Sequence, residues 1–246
     1  MRVIGSGTTV VVGASGGIGL ALASAILRRS RGSVVATARM PSLSAPLAAL
    51  AAEHPGRVTL AACDLTDPAS IAALAEGCGP IDLLLNAAGV LHDDALGVRP
   101  ERRLAAVDSA QLAHVMAVNA AGPVLVAQAL QPKLVEGAVI GNISARVGSI
   151  GDNGLGGWWS YRMSKAALNM ATKNMAIELR RQKVVAVALH PGTTATALSE
   201  PFQRNVRPEK LFSPSFTANA LLDVLQNLGL DDSGGFFAYD GSRIEF

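Results

Sequence analysis

A run of β-branched residues near the start of the chain passes directly into glycines and then into a helical pattern, which limits the folds available. Thr8–Val12 is short and apolar, as strands buried on both faces are. Gly13–Gly19 follows at once, and Ile18–Arg29 has helical spacing. Such a succession turns the backbone N–H groups of a helix N-terminus towards an anion, so we predict a phosphate-binding loop. A plain tight turn is the alternative.

Unbroken apolar runs alternate with alanine- and leucine-rich helical stretches along the chain, which is typical of βαβ units around a parallel sheet. The length of 246 residues allows one domain or two small ones, but no linker or repeat divides the chain. We therefore predict one α/β domain, residues 1–246, with a doubly wound, seven-stranded parallel sheet and helices on both faces. The predicted strands are Thr8–Val12, Ser33–Ala38, Val58–Cys63, Leu83–Asn86, Ala138–Ile143, Val184–Leu189 and Phe236–Tyr239. The predicted helices are Ile18–Arg29, Pro68–Glu76, Ser109–Gln131, Ser160–Arg181 and Pro214–Leu228.

Composition and charge argue against several classes of protein. With 50% hydrophobic and 16% charged residues, the chain can bury a large core, and disorder is not expected. The net charge of +2 provides no basic field for nucleic acid or an anionic membrane. Glycines interrupt the uncharged stretch between Arg2 and Arg28, so we predict no signal peptide or membrane span and expect a cytoplasmic protein. The spacing of the cysteines, Cys63 and Cys78, and of the histidines predicts no metal site.

Two ionisable side chains stand four residues apart at the start of a predicted helix. Tyr161 and Lys165 occupy positions i and i+4, which lie on one face of an α-helix. A phenol titrates near pH ~10, and a neighbouring cation favours the phenolate, which brings the tyrosine closer to proton transfer at neutral pH. A chance pair on an exposed face is the alternative. Together with Ser144 upstream and the glycine loop, the pair indicates a nicotinamide-dependent oxidoreductase.

Further motifs follow the glycine loop in a fixed order. Gly13, Gly17 and Gly19 have the spacing GxxxGxG. The later motifs are Asp64-Leu65, Asn86-Ala87-Ala88-Gly89, Asn119, Ser144, Tyr161 with Lys165, and Pro191-Gly192. With these motifs, the chain resembles the short-chain dehydrogenase/reductase family over essentially its whole length. The resemblance implies a single Rossmann fold, with residues 8–145 mainly binding the cofactor and residues 144–246 mainly serving catalysis and substrate binding.

The resemblance implies roles for four catalytic side chains. Tyr161 would be the general acid/base, exchanging a proton with the substrate oxygen while hydride passes to or from the nicotinamide. Lys165 would hold the ribose hydroxyls and lower the pKa of the tyrosine. Ser144 would hydrogen-bond the carbonyl oxygen, and Asn119 would tie a water to the lysine in a proton relay. The alternatives are a serine that only ends a strand and an asparagine satisfied within its helix.

The end of the second predicted strand bears on the choice of cofactor. Proteins that prefer NAD usually place a carboxylate there for the ribose 2′-hydroxyl. This chain has Ala38 and then Arg39, whose guanidinium could pair with the 2′-phosphate of NADP, so we predict NADP over NAD. No second basic residue stands in the glycine loop, which has Gly16 there. The resemblance implies further cofactor contacts from Asp64 at the adenine amino group, Asn86 and Gly89 on the adenosine side, Pro191, Gly192, Thr194 and Thr196 at the nicotinamide and pyrophosphate, and Gly13, Ser15, Gly17, Ile18, Gly19, Leu65, Tyr161 and Lys165.

Three further segments have open interpretations. Trp158 and Trp159 precede the tyrosine and form either a wall of the nicotinamide pocket or ordinary packing. Residues 195–213 contain prolines and phenylalanines without periodicity, which suits a lid over substrate and cofactor; a static loop is the alternative. The charged residues of segment 93–103, Glu101 among them, are expected to be solvated, with partner binding as the alternative.

A closer likeness within the family rests on residues 156–170 and on His190-Pro191-Gly192-Thr193. These segments resemble the C-factor and sniffer-type carbonyl reductases. The likeness implies an NADP-dependent interconversion of a carbonyl and an alcohol on a small-molecule substrate. Since that group carries both signalling and reductase names, a dinucleotide-binding signalling or regulatory protein is the alternative. Family members often associate through helices corresponding to Ser109–Gln131 and Ser160–Arg181, so a homodimer or homotetramer is also expected.

Overall fold

Parallel strands bring the predicted motifs to one edge of a sheet. The computed structural model describes residues 5–246, without the side chain of Asn205. The strands are β1 (Thr8–Val12), β2 (Ser33–Ala38), β3 (Val58–Ala62), β4 (Ile81–Asn86), β5 (Leu134–Ile143), β6 (Val185–His190), β7 (Thr193–Thr194), β8 (Leu211–Phe212) and β9 (Phe236–Ala238). Seven of them form one parallel sheet in the order β3-β2-β1-β4-β5-β6-β9, and β7 pairs with β8 separately. The predicted fold is confirmed.

The predicted helices form, with ends that differ by at most three residues. The helices are α1 (Gly17–Arg29), α2 (Ala45–Glu53), α3 (Pro68–Gly77), α4 (Ser109–Met116), α5 (Gly122–Leu130), α6 (Trp159–Glu178) and α7 (Pro214–Asn227). Short 3₁₀ segments lie at Pro41–Leu43, Leu104–Ala106, Gln131–Lys133, Arg146–Gly148, Leu179–Gln182, Glu200–Asn205, Pro208–Lys210 and Leu230–Asp232.

Two features of the helices differ from the sequence predictions. Helix α2 was not predicted, although Ser44 accepts a hydrogen bond from Leu47 N at 3.4 Å and a proline stands in the first turn, both of which mark a helix start. The predicted single helix Ser109–Gln131 is also wrong in one respect, because a π-helical turn, Ala117–Ala121, joins α4 to α5. Such turns often occur at functional sites.

Helices cover both faces of the sheet, which explains the unbroken apolar runs of the sequence. In β1, Val11 packs in the core beneath α1 and α7, whereas Val10 and Val12 pack in the core beneath α3, α5 and α6. All three valines are at most 1% exposed. Burying one such side chain stabilises the fold by about 1.5–3 kcal/mol, so the alternating faces of β1 anchor the middle of the sheet.

One helical run in the described chain, Ser109–Lys133, is long and apolar enough to cross a membrane, and 39% of its most apolar window is buried in the fold. A core helix of a water-soluble protein passes the same test, so this run is weak evidence for a membrane span. The absence of a span stays a prediction.

The strand order reverses between β1 and β4, and ligands of doubly wound sheets bind in the crevice outside such a reversal. The loops that follow these two strands touch each other. A Cβ added at Gly13, after β1, would lie 2.6 Å from the backbone N of Ala88, after β4. The glycine loop and the Asn86–Gly89 motif therefore form adjoining walls of one crevice.

Candidate active site

The glycine loop presents open backbone to solvent at the N-terminus of α1. Gly16 is the N-cap, no side chain caps the helix, and its first turn contains no acidic residue. A Cβ on Gly16 would meet nothing within 4 Å, whereas one on Gly19 would lie 2.1 Å from Gly13 O. Gly17 adopts a φ of 53°, in the left-handed region that favours glycine. The loop can therefore offer its N–H groups to a phosphate.

Two opposite charges lie beyond β2 and β3, beside this loop. Arg39 is exposed, and the ion pairs formed within residues 5–246 do not include it. Asp64 accepts hydrogen bonds from Thr66 Oγ1 at 2.7 Å and Thr66 N at 2.9 Å. These bonds lower the pKa of Asp64, and the positive charge of Arg39 adds to the effect. The edge thus holds an ionised acceptor and a guanidinium, as adenine and a phosphate would require.

Tyr161 and Lys165 lie on the buried face of α6, as the i, i+4 spacing predicts. Their side chains belong to residues that are 8% and 3% exposed. The Lys165 Nζ lies 5.7 Å from the centroid of the Tyr161 ring and donates a hydrogen bond to Ile143 O at 2.8 Å. Ile143 is the last residue of β5, so the lysine ties α6 to the carboxyl edge of the sheet.

Burial favours the neutral form of both side chains of this pair. It raises the pKa of the Tyr161 phenol above its usual value and lowers the pKa of Lys165 to about 8. For the tyrosine this is the reverse of the expected effect of the lysine charge, because desolvation penalises phenolate and ammonium alike. At neutral pH the phenol keeps its proton, so it is suited to act as an acid.

Ser144 follows β5 and is held by two neighbours. Its N donates to Leu189 O at 2.8 Å, and its Oγ donates to Asn169 Oδ1 at 2.7 Å. Asn169 lies one helical turn beyond Lys165 on the same face of α6, and sequence reasoning missed it. Its spacing from Tyr161 and Lys165, i+8 and i+4, was the signal that could have identified it.

The turn after Ser144 is fixed from β6. His190 Nδ1 accepts a hydrogen bond from Arg146 N at 3.2 Å. Burial is the main cause that lowers the pKa of His190 to about 4, and the positive charge of Arg146 acts in the same direction. The imidazole is therefore neutral and remains an acceptor at physiological pH.

Asn119 lies in the π-helical turn and joins three parts of the site. Its Nδ2 donates to Val90 O at 2.8 Å and to Ser164 Oγ at 3.0 Å, and its Oδ1 accepts from Val90 N at 2.7 Å. Both amide protons are thus engaged by the protein. A Cβ on Gly89 would lie 3.3 Å from Asn119 Oδ1 and 3.6 Å from Lys165 Nζ, so the glycine permits this close approach.

Other residues predicted to contact a cofactor have side chains committed to the scaffold. Asn86 Nδ2 donates to Asn142 Oδ1 at 2.7 Å, between β4 and β5. Thr194 Oγ1 pairs with Thr217 Oγ1 at 2.9 Å. Leu65 packs so closely on α5 that a Cβ at Gly122 would lie 2.6 Å from it. Ligand contacts of the Thr194 position would therefore come mainly from backbone atoms, whereas Asn86 Oδ1 is buried without a hydrogen-bond partner. Ser15 is exposed, Ile18 is half-buried, Pro191 is buried, and Gly192 has a φ of 72°.

Segment 195–213 reaches over both parts of the crevice. Phe202 lies 4.9 Å from Trp158 and 6.0 Å from His92, measured between ring centroids. Trp158 meets the Tyr161 ring edge to face at 6.2 Å. A Cβ at Gly17 would lie 3.2 Å from Thr196 Cγ2, so the segment also covers the glycine loop.

Glu101 caps the helix that carries the tyrosine, and the expectation that it is solvated is wrong. It is 4% exposed, and its carboxylate accepts hydrogen bonds from Ser160 N at 3.1 Å and from the Ser160 hydroxyl. Its backbone O accepts from Trp158 N at 2.5 Å, which holds Trp158 at a left-handed φ of 50°. Sequence reasoning missed this contact because it joins residues 59 positions apart.

Residues 7–207 match the model of the short-chain dehydrogenases. The chain belongs to this family, and it is an oxidoreductase. This short-chain dehydrogenase is 37% identical to the protein "C-signal" of Myxococcus xanthus over 168 residues, which cover 68% of the chain and 93% of the relative.

Two solved structures of carbonyl reductases have the same fold as this short-chain dehydrogenase. The NADPH-bound carbonyl reductase from chicken fatty liver has a TM-score of 0.86 and 31% identity, over 97% of this chain and 98% of that one. The carbonyl reductase Sniffer of D. melanogaster has a TM-score of 0.85 and 27% identity, over 98% and 99%. The predicted likeness to the C-factor and sniffer-type group is confirmed.

Proposed function

We propose that this protein is an NADP-dependent oxidoreductase that interconverts a carbonyl and an alcohol on a small molecule, with Tyr161 as the general acid/base. One observation carries the proposal: a protonated phenol and a buried ammonium lie on one face of α6, at the carboxyl edge of β5. That edge continues into the glycine loop through Gly89, beside Lys165 Nζ.

The residues present fit a dinucleotide phosphate. The uncapped N-terminus of α1 and the open side of Gly16 suit the pyrophosphate. Arg39 follows Ala38 at the end of β2, where no carboxylate stands to repel a 2′-phosphate, and Asp64 can accept from the adenine amino group. The NADPH carried by the chicken enzyme supports NADP. The preference over NAD rests on Arg39 and on Ala38, which stands where a carboxylate would favour NAD.

Each catalytic side chain has a distinct task in the proposed reaction. A nicotinamide held by these residues would supply or accept the hydride. Tyr161 gives its phenol proton to the substrate oxygen in reduction and takes it back in oxidation. Lys165, still mostly protonated at pH 7 because its pKa is about 8, holds the ribose hydroxyls and the Ile143 carbonyl. Ser144 contacts the substrate oxygen.

Asn119 positions these groups rather than touching the substrate. Its side chain holds the backbone of Val90 and, through Ser164, the first turn of α6. Since both of its amide protons are engaged, a water tied to Lys165 would have to use the backbone of Asn119 or its remaining acceptor capacity. Residues 195–213 act as the lid, and residues 8–145 and 144–246 divide cofactor binding from catalysis as the sequence predicts.

The decisive experiment measures oxidation of NADPH and of NADH by the purified protein with aromatic, aliphatic and quinone carbonyls. NADPH oxidation that requires both a carbonyl and Tyr161 would support the proposal. Tight NADPH binding without turnover across the panel would contradict it and would favour the signalling alternative.

The 37% identity to "C-signal" favours a signalling or regulatory role as the second candidate. The two roles are separable because regulation by cofactor occupancy needs the glycine loop but not the phenol. In a host assay for signalling, Tyr161→Phe would then keep the response, whereas a Gly17 substitution, strained at a φ of 53°, would lose it.

The proposed assembly is a homodimer or homotetramer in the cytoplasm. Met163, Met170 and Ile177 lie seven residues apart on α6 and are 46%, 64% and 66% exposed, and Val124 and Leu125 of α5 are also exposed. These side chains would be covered in the assembly that the family resemblance implies. Size-exclusion chromatography with light scattering checks the mass, and cell fractionation checks the location.

A further inference from the structure

The hydroxyl of Ser144 is fixed by a buried amide that the proposed mechanism does not use. Ser144 and Asn169 are each 2% exposed, and 2.7 Å separates Ser144 Oγ from Asn169 Oδ1. The other end of the amide, Asn169 Nδ2, donates to Gly148 O at 3.2 Å. The three residues form a chain from the end of β5, through α6, to the turn that follows Ser144.

The chemistry of this chain of hydrogen bonds allows only one arrangement of protons. A backbone carbonyl can only accept a hydrogen bond, so the amide must turn its nitrogen to Gly148 and its oxygen to Ser144. An amide oxygen also can only accept, so Ser144 must be the donor. A hydroxyl has a single proton, and this one is given to Asn169. Towards the substrate, Ser144 Oγ then offers only lone pairs.

The position of Gly148 is equally constrained, which keeps the chain of hydrogen bonds from rearranging. A Cβ at Gly148 would lie 2.7 Å from Lys165 Cβ and 2.8 Å from the backbone C of Lys165. The turn therefore packs its bare backbone directly on α6, and its carbonyl has little freedom to leave Asn169. Burial makes an unpaired amide or carbonyl here costly.

We propose that Asn169 is a positioning residue that makes Ser144 a hydrogen-bond acceptor towards the substrate oxygen, so that the site favours an alcohol over a carbonyl in binding. The inference rests on the proposed function and deepens it. An alcohol can donate its O–H to Ser144 while accepting from the Tyr161 phenol. A carbonyl oxygen can only accept, so it gains Ser144 as a donor only if the hydroxyl turns away and leaves Asn169 Oδ1 unpaired.

The first test needs neither cofactor nor turnover. In Asn169→Asp the introduced carboxyl lies in the same buried place, and we expect burial to raise its folded pKa above the unfolded value of about 3.9 against the opposing charge of Lys165, one helical turn away. The variant then loses stability relative to the parent as the pH rises through that folded pKa. A donor at Ser144 would favour the ionised form. Adding Ser144→Ala should therefore move the loss to higher pH by about one unit or more.

The measurement is urea unfolding across pH for both variants, each paired with its Asn169 parent. If the loss of stability has the same pH midpoint with Ser144 and with Ala at that position, the hydroxyl does not donate to position 169, and the proposal is overturned. Asn174→Asp, on the exposed side of α6, is the matched control and should show no raised pKa.

The second test measures binding of acetophenone to the NADP⁺ complex and of 1-phenylethanol to the NADPH complex, which cannot react, by fluorescence quenching. Asn169→Leu frees the Ser144 hydroxyl to donate, so affinity for the ketone relative to the alcohol should rise roughly three- to tenfold. In a Ser144→Ala background, the same substitution should leave the ratio unchanged.

The outcomes separate the two proposals. Equal changes in both affinities would mean a purely structural asparagine and would overturn the positioning role. If neither ligand binds and no carbonyl turns over, the proposed function fails, and the carboxyl titration still decides whether Ser144 donates to position 169.

Discussion

The two ends of the crevice prepare for their ligands by opposite physical means, exposure of charge at one end and burial at the other. At the glycine loop, recognition depends on bare backbone, an exposed Arg39 and an Asp64 whose pKa is lowered by hydrogen bonds. At α6, burial is the largest influence on Tyr161 and Lys165. The first end keeps its charges in water, where they attract a charged ligand at little cost. The second removes two ionisable groups from water, which costs stability and prepares proton transfer.

The largest expected effect is at the buried end. Tyr161→Phe keeps the ring packing and removes the proton, so carbonyl reduction should fall roughly 10²- to 10⁴-fold while NADPH affinity stays unchanged. Steady-state kinetics and fluorescence titration measure the two quantities. Tyr239→Phe, the matched change at the other tyrosine, should leave the rate within a few-fold. If Tyr161→Phe lowers the rate only slightly, the phenol does not transfer the proton, and the contrast between the two ends of the crevice fails.

Lys165→Met tests the stability cost of burial. Lys165 has a folded pKa of about 8 against its ordinary 10.5, so the unfolded chain binds more protons between these values and stability rises with pH there. The substitution removes this penalty but leaves Ile143 O without its donor. We expect about 2 kcal/mol of added stability at pH 7 and loss of activity. Urea unfolding at pH 7 and 10 measures it; a parent stability that is flat from pH 8 to 10.5 would contradict the account.

His190 sharpens the comparison because its shift also arises from burial. Its folded pKa of about 4 lies below the ordinary 6.5, so the unfolded chain binds more protons in this window and stability falls as the pH falls from 6.5 to 4. His190→Gln keeps a possible acceptor for Arg146 N and removes the titration. Between pH 7 and pH 4 the parent should lose about 3 kcal/mol more than the variant. Equal losses of stability in the parent and the variant would show that the neutral imidazole does not contribute to the loss of stability in acid.

The smallest expected effect is at the exposed end. Arg39→Ala should weaken NADPH binding by about tenfold and leave NADH binding unchanged, because only NADPH carries the 2′-phosphate. Dissociation constants at low and high salt check it, since an exposed pair is screened. Arg31→Ala, an exposed arginine before β2, is the control. Equal losses for the two cofactors would remove the basis for an NADP preference.

The parts that the sequence predicted are those with local or periodic signals. Strand runs such as Thr8–Val12, the glycine loop and the i, i+4 pair all depend on residues close in the chain, and the structure contains each of them. The contact of Glu101 with Ser160 and the hydrogen bond of Ser144 to Asn169 join distant segments, so no local pattern predicts either contact, although the i+4 spacing from Lys165 marks Asn169 as a residue of the same face.

The pKa of Tyr161 could not be predicted for a related reason. The spacing correctly placed a cation near the phenol, but the direction of the shift depends on how much water remains around both groups. The amount of water left around the two groups depends on packing contacts such as that of Phe202 with Trp158, which only the fold shows.

The π-helical turn Ala117–Ala121 accommodates one extra residue in a long helix. A π-turn contains one residue more than an α-helical turn but completes about the same rotation, so the two halves of the helix keep the same facing. Deleting one residue there would give a more regular helix with Val126 and Leu130 still turned towards the sheet, but it would remove the wider turn that holds Asn119 against Val90 and Ser164. A chain shortened by this single residue would thus keep its core and lose the placement of Asn119, although the local backbone would be closer to ideal.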